Sequence, residues 1–232
     1  SIVVRDAAGG LGNVVDPLTM TTDDSQVMYA AGYDQYDNYR QDEDAIWSST
    51  GVVPAVSGSG PSITFSPTTD DDGTITATVG SVNGVVNVTV GPGALDHFMV
   101  VTEHGDVENV DTSFYVEVTA YDAEGNVKTD YVGNHTISFS STATAAPDGT
   151  TPTVPASEVI NFASGVGQSS SGSFTLVNAS ESPTITASEG AVSGTSGAIT
   201  VDVGALASIV VRDAAGGLGN VVDPLTMTTD DS

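Results

Sequence analysis

The first 25 residues of this 232-residue chain return unchanged at its end. Ser1–Ser25 and Ser208–Ser232 are both SIVVRDAAGGLGNVVDPLTMTTDDS, at an offset of 207 residues. An identical match of this length does not arise by chance, and two old copies would have diverged. We interpret the chain as one 207-residue period of a longer tandem array, followed by the first part of the next period. A sandwich needs about seven strands, so we expect this short copy to be completed, either by donation into a neighbouring chain or, more simply, by a continuous chain.

Alternating apolar residues between glycine- and proline-rich turns predict β-strands throughout the chain. The clearest alternation runs from Thr112 to Tyr121. Its apolar face consists of Phe114, Val116, Val118 and Ala120. Asn83-Gly84 lies between two such runs and predicts a two-residue hairpin turn. Trp47, the only tryptophan, is expected in the core of a sandwich, as in many immunoglobulin-type domains.

The period itself contains two related units. Gly93-Ala94-Leu95 matches Gly204-Ala205-Leu206, and Trp47-Ser48 takes the place of Phe139-Ser140. The two linkers are 111 residues apart, which leaves 96 residues of the period. Both lengths are near the roughly 100 residues of an immunoglobulin-type sandwich. We therefore predict an all-β fold of tandem immunoglobulin-like β-sandwiches, arranged as beads on a string. The shorter first unit is 1–92, the longer second unit is 93–203, and 204–232 is a linker with the first strands of the next repeat.

Several motifs resemble those of a known family. In the second unit they are YDAEGNVKTDYVGNHTISFSS (121–141) and PTITASEGAVSGTSGAITV (183–201); in the first they are GYDQYDNY, IWSS, SITFSP and GTITATVG. They are similar to the bacterial immunoglobulin-like domains repeated in invasin-type adhesins and giant prokaryotic surface proteins. This resemblance implies a stalk, spacer or fibre outside the cell, with calcium at some junctions. The first unit departs from the second at Asp37, where the second has Gly125.

The charge balance excludes some partners. Four Lys and Arg stand against thirty Asp and Glu, a formal charge of −26. Nucleic acid is excluded because its binding requires cations that replace its counterions. The acidity has three interpretations: a solvated, self-repelling surface, adaptation to high salt, or calcium binding. No apolar run reaches the roughly 18–20 residues of a membrane span, so we expect no direct membrane insertion of this segment. The chain has no cysteine, which excludes disulfides and thiolate metal sites.

Two matching loops and two linker acids are candidate calcium sites, because carboxylate and amide oxygens suit this hard cation. The candidate ligands are Asp34, Asp37, Asn38, Asp96, Asp122, Glu124, Asn126 and Asp202. The alternative for the loops is a β-turn in which Asp and Asn side chains bind nearby backbone amides, and for the loops alone we favour it. For the linker acids, a shared ion would stiffen the joint between two acidic units.

A cluster of tyrosines in the first unit is a candidate contact surface. Its members are Tyr29, Tyr33, Tyr36 and Tyr39. They are suited to stacking on a sugar or to a lateral contact between fibres; the alternative is that Tyr29 and Tyr33 pack on the sandwich and the others cover its rim. The three histidines are scattered, and we find neither a zinc spacing nor a nucleophile–base arrangement.

We therefore expect no enzyme, no catalytic residues and no cofactor other than calcium. The predicted function is structural: a repeat segment of a giant extracellular surface protein that forms a fibre, stalk or matrix filament at the cell surface or in a biofilm matrix. Its partners would be adjacent repeats of the same chain, and other copies laterally in a fibre. The alternative is an adhesin module that recognises a glycan or protein through the tyrosines or the Ser141–Ala156 loop. A third class, an accessory domain of an extracellular hydrolase, is disfavoured by the identical period.

Overall fold

The described part of the protein is built from β-strands joined by turns and loops. The computed structural model describes residues 1–52, 54–206, 208–217 and 219–222. All of its secondary-structure elements are strands, and no helix occurs in these ranges. It follows that the described part of the chain has no helix long and apolar enough to cross a membrane. The all-β fold class predicted from the alternating patterns is confirmed.

The first unit contains nine strands in two sheets. They are β1 (Ile2–Arg5), β2 (Leu18–Thr21), β3 (Gln26–Tyr33), β4 (Tyr39–Asp42), β5 (Ala45–Thr50), β6 (Ser57–Gly60), β7 (Ser62–Phe65), β8 (Asp72–Val79) and β9 (Val82–Gly91). In one sheet β3 pairs with β1, β4 and β7; the other has the order β2-β9-β8-β5-β6. All pairs are antiparallel except β2 with β9.

The second unit contains eleven shorter strands. They are β10 (His97–Thr102), β11 (Val107–Asn109), β12 (Ser113–Phe114), β13 (Val116–Tyr121), β14 (Gly133–Ser141), β15 (Ser157–Phe162), β16 (Val166–Gln168), β17 (Phe174–Thr175), β18 (Ile185–Glu189), β19 (Val192–Thr195) and β20 (Thr200–Asp202). The main sheets are β10-β13-β16 and β15-β14-β18-β19, and two short pairs, β11-β20 and β12-β17, complete the unit. The predicted strand Thr112–Tyr121 is split at Tyr115, because β12 and β13 pair with different neighbours.

Each unit has its own hydrophobic core. The first core lies between the two sheets and includes Met28 and Phe65 from one sheet and Trp47 and Ile75 from the other. In the second core the predicted apolar face is confirmed. The side chains of Phe114, Val116, Val118 and Ala120 are all fully buried. Side chains from facing sheets therefore share one core in each unit, as in a β-sandwich. Burial of a large apolar side chain stabilises a fold by roughly 1.5–3 kcal/mol.

The two units match residue by residue at several positions. Trp47 pairs with Ala77, and Phe139 pairs with Ala187 at the equivalent place. Trp47 is 1 % exposed and donates from its indole nitrogen to the Gly60 carbonyl over 3.0 Å. The core position predicted for this tryptophan, and its equivalence with Phe139, are confirmed.

The predicted hairpin turn at Asn83-Gly84 is wrong. Strands β8 and β9 pair continuously as far as Val79 and Val82, so Gly80 and Ser81 form the turn and Asn83-Gly84 lies inside β9. Gly80 adopts a φ of +61°, a conformation that favours glycine. Gly84 is instead required by close packing. A Cβ atom there would lie 2.9 Å from both Cγ2 and the carbonyl oxygen of Ile2.

The second copy of the N-terminal sequence repeats the local structure of the first. Asn13 donates from its backbone amide to Asp6 over 2.7 Å, and Asn220 donates in the same way to Asp213 over 2.7 Å. The apolar residues before this loop differ in environment. Val4 is buried in the first core, whereas its copy Val211 is 66 % exposed. The predicted strands of this copy beyond residue 222 lie outside the described residues.

We expect Gly84→Ala to destabilise the first unit by about 1–3 kcal/mol, because the added methyl group collides with the backbone of β1. The neighbouring substitution Asn83→Ala should cost less than about 0.5 kcal/mol, since Asn83 is exposed on a strand. Urea unfolding followed by the fluorescence of Trp47 measures both values. If Asn83 and Gly84 formed the turn, both substitutions would be costly.

Candidate functional site

A buried carboxylate lies where the two units meet. Asp122 follows the last residue of β13 and begins a tight loop. Its Oδ1 accepts the backbone amide of Asn126 over 2.7 Å, and its Oδ2 accepts the Asn126 side-chain amide over 3.0 Å. This is the aspartate turn that favours Asp and Asn at loop positions. The hydrogen bonds within the loop therefore hold the carboxylate in place.

The same loop makes hydrogen bonds to the first unit and the linker. Asp122 Oδ2 accepts the Thr22 hydroxyl over 2.8 Å and the Gly93 amide over 2.9 Å. The Asn126 side chain donates to the Thr68 carbonyl over 3.1 Å. We call this set of five residues, Thr22, Thr68, Gly93, Asp122 and Asn126, the joint. Asp122 is 0 % exposed, and its neighbours Thr22 and Asn126 are also buried.

The linker passes through the joint with little space. A Cβ atom on Gly93 would lie 2.7 Å from Asp23 Oδ1 and 2.8 Å from Thr22 Oγ1. Asp23 also accepts the backbone amide of Ala94, over 2.6 Å. Two carboxylates, one from each unit, therefore bind consecutive linker amides. A larger residue at position 93 would displace the side chains of Asp23 and Thr22, which bind the linker and Asp122.

Hydrogen bonding keeps Asp122 ionised. Burial raises its pKa, but donors from the Asn126 side chain, the Gly93 amide and the Thr22 hydroxyl outweigh burial and lower the pKa from 3.8 to about 2. This lowering corresponds to roughly 2 kcal/mol in favour of the charged form. A buried carboxylate is tolerated only when its oxygens are bound in this way. Asp122 therefore stabilises the joint only while all three segments are in contact.

The matching loop of the first unit shares the hydrogen bonds from asparagine, but among the described residues its carboxylate has no bond to another unit. Asp34 accepts the amides of Tyr36 and Asn38 over 2.8 and 2.9 Å and the Asn38 side chain over 3.0 Å. The pKa of Asp34 is lowered, first by the Asn38 side chain. Asp37 in this loop has a φ of +63°, so it adopts the left-handed conformation that Gly125 adopts in the second unit.

The other candidate calcium ligands do not converge on this carboxylate. The Asp96 carboxylate contacts the ring of His97 over 3.0 Å and lies at the surface. Glu124 is exposed at the tip of its loop, and Asp202 is exposed on β20. Within the described ranges no three His, Cys, Asp or Glu side chains form a group that could hold a metal ion. Calcium binding at the joint stays a prediction.

The four tyrosines lie on β3, on β4 and in the loop between them. Tyr33 and Tyr39 pack edge to face at 5.9 Å, and Arg5 donates to the Tyr33 hydroxyl over 2.8 Å. Tyr29 lies half-buried on β3. Tyr36 alone projects from its loop, with 77 % of its surface exposed. Tyr39 is also partly accessible, with 39 % of its surface exposed, so a contact role for the tyrosines stays a prediction.

A second polar cluster braces the second unit. The Tyr131 hydroxyl donates to Glu189 Oε2 over 2.5 Å, and the His135 ring contacts Glu189 Oε1 over 3.1 Å. His135 also stacks on Tyr131 at 3.8 Å. Burial and the nearby Glu189 raise the pKa of Tyr131. The neutral Tyr131 hydroxyl therefore donates a hydrogen bond that connects the loop before β14 to the end of β18.

Sequence reasoning identified Asp122 and Asn126 but missed Thr22, Thr68 and Gly93 as their partners. The matched glycine linkers were a usable signal for Gly93, since both linkers keep glycine at this position. No pattern connects Thr22 with Asp122, which are 100 residues apart in the chain.

No protein-family model matches this sequence, and no curated protein matches it. Solved structures with partial likeness include domains 5–6 of the S-layer protein SbsC, with 19 % identity, a TM-score of 0.29, and coverage of 87 % of this chain and 96 % of that one. The I9–I11 tandem of titin has 13 % identity and a TM-score of 0.28, covering 80 % of this chain and 62 % of that one. These TM-scores are too low to support an inference. The fold assignment therefore rests on the strand pairing itself.

We expect the joint to weaken as the pH falls from about 4 to about 2. The pKa of Asp122 is about 2 in the folded chain and 3.8 without its partners. Its stabilisation is therefore present above about pH 4 and is lost as the pH falls through about 2. The amide proton shift of Gly93, followed by NMR in dilute solution, should titrate with a midpoint near 2. In Asp122→Asn the Gly93 shift should not change over this pH range. A midpoint near 4 in the parent chain would contradict the lowered pKa of Asp122.

Proposed function

We propose that this chain is a structural repeat segment of an extracellular surface protein, in which β-sandwich units are held end to end in a fixed orientation. The protein would form a fibre, stalk or matrix filament at the cell surface. Its adjacent repeats would be its main partners, and other copies would contact it laterally in a fibre. The observation that carries this proposal is the buried Asp122 carboxylate, which joins the two units and their linker.

The joint suits a mechanical or spacing role. A flexible tether needs no buried polar contacts, because linkers of Gly and Ser behave as random coils. Here the linker amides of Gly93 and Ala94 are bound by Asp122 and Asp23. Opening the joint would break the hydrogen bonds that Thr22 and Gly93 donate to Asp122, and a hydrogen bond to a charged group contributes roughly 1.5–3 kcal/mol. The orientation of the second unit on the first is therefore specified rather than free.

The surface charge also fits an extracellular fibre. A formal charge of −26 keeps a long protein soluble. The same repulsion pushes neighbouring units apart. Hydrogen bonds from neutral donors such as the Thr22 hydroxyl and the Gly93 amide hold the joint without adding a cation.

Asp122→Ala should loosen the joint while both units stay folded. Small-angle scattering and residual dipolar couplings of the whole chain should show one fixed orientation in the parent and a range of orientations in the variant. Gly93→Ala should have the same effect, because its methyl group collides with Asp23 and Thr22. Asp122→Ala removes the oxygens that accept the hydrogen bonds of the joint, and Gly93→Ala removes the space that the linker needs.

Asp34→Ala is the matched control for Asp122→Ala. It removes the same aspartate turn from the first unit, where the carboxylate has no contact with a neighbouring unit among the described residues. It should leave the orientation unchanged. If the parent chain already samples many orientations, or if Asp34→Ala loosens the chain as much as Asp122→Ala, the proposal is wrong.

Calcium remains a proposed stiffening ion at the joints. Isothermal titration of the whole chain should then show binding in the millimolar range or tighter, with Asp122→Ala weakening it. Calcium should also narrow the spread of orientations in the scattering data. No heat of binding up to about 10 mM calcium would remove the ion from the proposal and leave the hydrogen-bonded joint intact.

A further inference from the structure

The second unit ends in a surface that corresponds to one half of the joint. Thr22 donates from its backbone amide to the Gly91 carbonyl over 3.1 Å, and Val110 donates in the same way to Asp202 over 3.0 Å. Both residues follow a strand that pairs in parallel with the last strand of its unit. Val110 is therefore the counterpart of Thr22. By the same register, Gly204 is the counterpart of Gly93.

This surface is open where the joint is closed. Gly93 is buried, whereas Gly204 is exposed. Beside Gly204 lies a shallow cavity of about 380 Å³, whose lining is mainly apolar and includes Val110, Pro147 and Val177. Pro147 belongs to the loop between β14 and β15, which is longer than the matching connection between β5 and β6.

The first unit carries the other half of such a joint in the loop that follows β3. Its Asp34–Asn38 loop has the same internal hydrogen bonds as the Asp122–Asn126 loop. Asn38 is exposed, whereas Asn126 is buried in the joint. Tyr36 occupies the loop position of Glu124, and its ring is 77 % exposed.

The linkers have equal lengths before the first paired residue. His97 pairs with Tyr121, four residues after Gly93. Ser1 bonds with Tyr33 through both backbone groups over 2.9 Å, and its copy Ser208 stands four residues after Gly204. A further copy of the first unit that continues from Ser208 would therefore place its Asp34 carboxylate beside the Gly204 amide.

We infer that the end of the second unit is a docking site for the first unit of the following repeat. In this second kind of joint, the Gly204 amide donates to the following copy of Asp34, and the following copy of Tyr36 packs on Val110, Pro147 and Val177. The inference rests on the proposed function, because it requires consecutive repeats in one chain.

Two positions differ between the first joint and the proposed second joint, and the two differences fit each other. The first joint has the hydroxyl of Thr22, and the exposed Glu124 lies in the loop beside it; the equivalent residues at the second joint are the apolar Val110 and the aromatic Tyr36. Val110 cannot donate the hydrogen bond that Thr22 donates in the first joint. Burial of the Tyr36 ring offsets this loss, since an aromatic side chain buries roughly 150–250 Å². A Glu124 carboxylate would be disfavoured against the apolar cavity. The two joints would thus keep the alternating order of units.

The test extends the chain beyond Ser232 by residues 26–92, which completes a second copy of the first unit. Amide hydrogen exchange at Gly204 should be at least about tenfold slower in the extended chain than in the 232-residue chain. Hydroxyl-radical footprinting should show the added Tyr36 protected and the original Tyr36 accessible. Both measurements are made in dilute solution so that separate chains do not dock on each other.

Substitutions in only one copy provide matched controls. Tyr36→Ala or Asp34→Ala in the added copy should restore fast exchange at Gly204, whereas the same changes in the original copy should not. Unchanged unfolding midpoints would show that the variants fold. Equal exchange at Gly204 in both chains overturns the inference, and if the Asp122 joint stays rigid the proposed function survives. If the added Tyr36 stays as accessible as the original one, the inference is also overturned and a ligand-binding role for that ring is favoured.

Discussion

A carboxylate that is buried must be given donors for its oxygens, and Asp122 receives them from three separate segments of the chain. Asn126 comes from its own loop, Gly93 from the linker and Thr22 from the other unit. Only the closed arrangement supplies all of them together. A single ionised group therefore links the fold of one unit to the position of the next. Hydrophobic contact alone would allow the units to slide, because it has no preferred direction.

The scarcity of cations explains why the joint is built from neutral donors. The chain has four Lys and Arg against thirty Asp and Glu, so most acids have no cation available to pair with. Lys128 pairs with Asp130 and Arg40 approaches Glu43, and each pair lies within one unit. Backbone amides, threonine hydroxyls and asparagine side chains take the place of cations at the joint. Such bonds are screened by salt less than exposed ion pairs are, because they are buried.

The two units show how one motif serves different surroundings. The Asp34 and Asp122 loops share their internal hydrogen bonds, but only the second is buried against a neighbouring unit. The local turn is therefore a property of the short sequence, and its role in a joint depends on what lies beside it. The same holds for the repeated segment, where Asp6 and Asp213 form equal loops while Val4 is buried and Val211 is exposed.

The sequence by itself determined the all-β class, the burial of Trp47 and the Phe114–Ala120 face, and the aspartate turns, because these depend on residues close together in the chain. It misplaced the hairpin turn at Asn83-Gly84, since the dipeptide suits a turn equally well and only the packing of Ile2 on Gly84 requires a strand there. Only the tertiary structure brought Thr22 to Asp122, 100 residues away. Local patterns carry no information about which distant donor completes a buried carboxylate, because that depends on how the units meet.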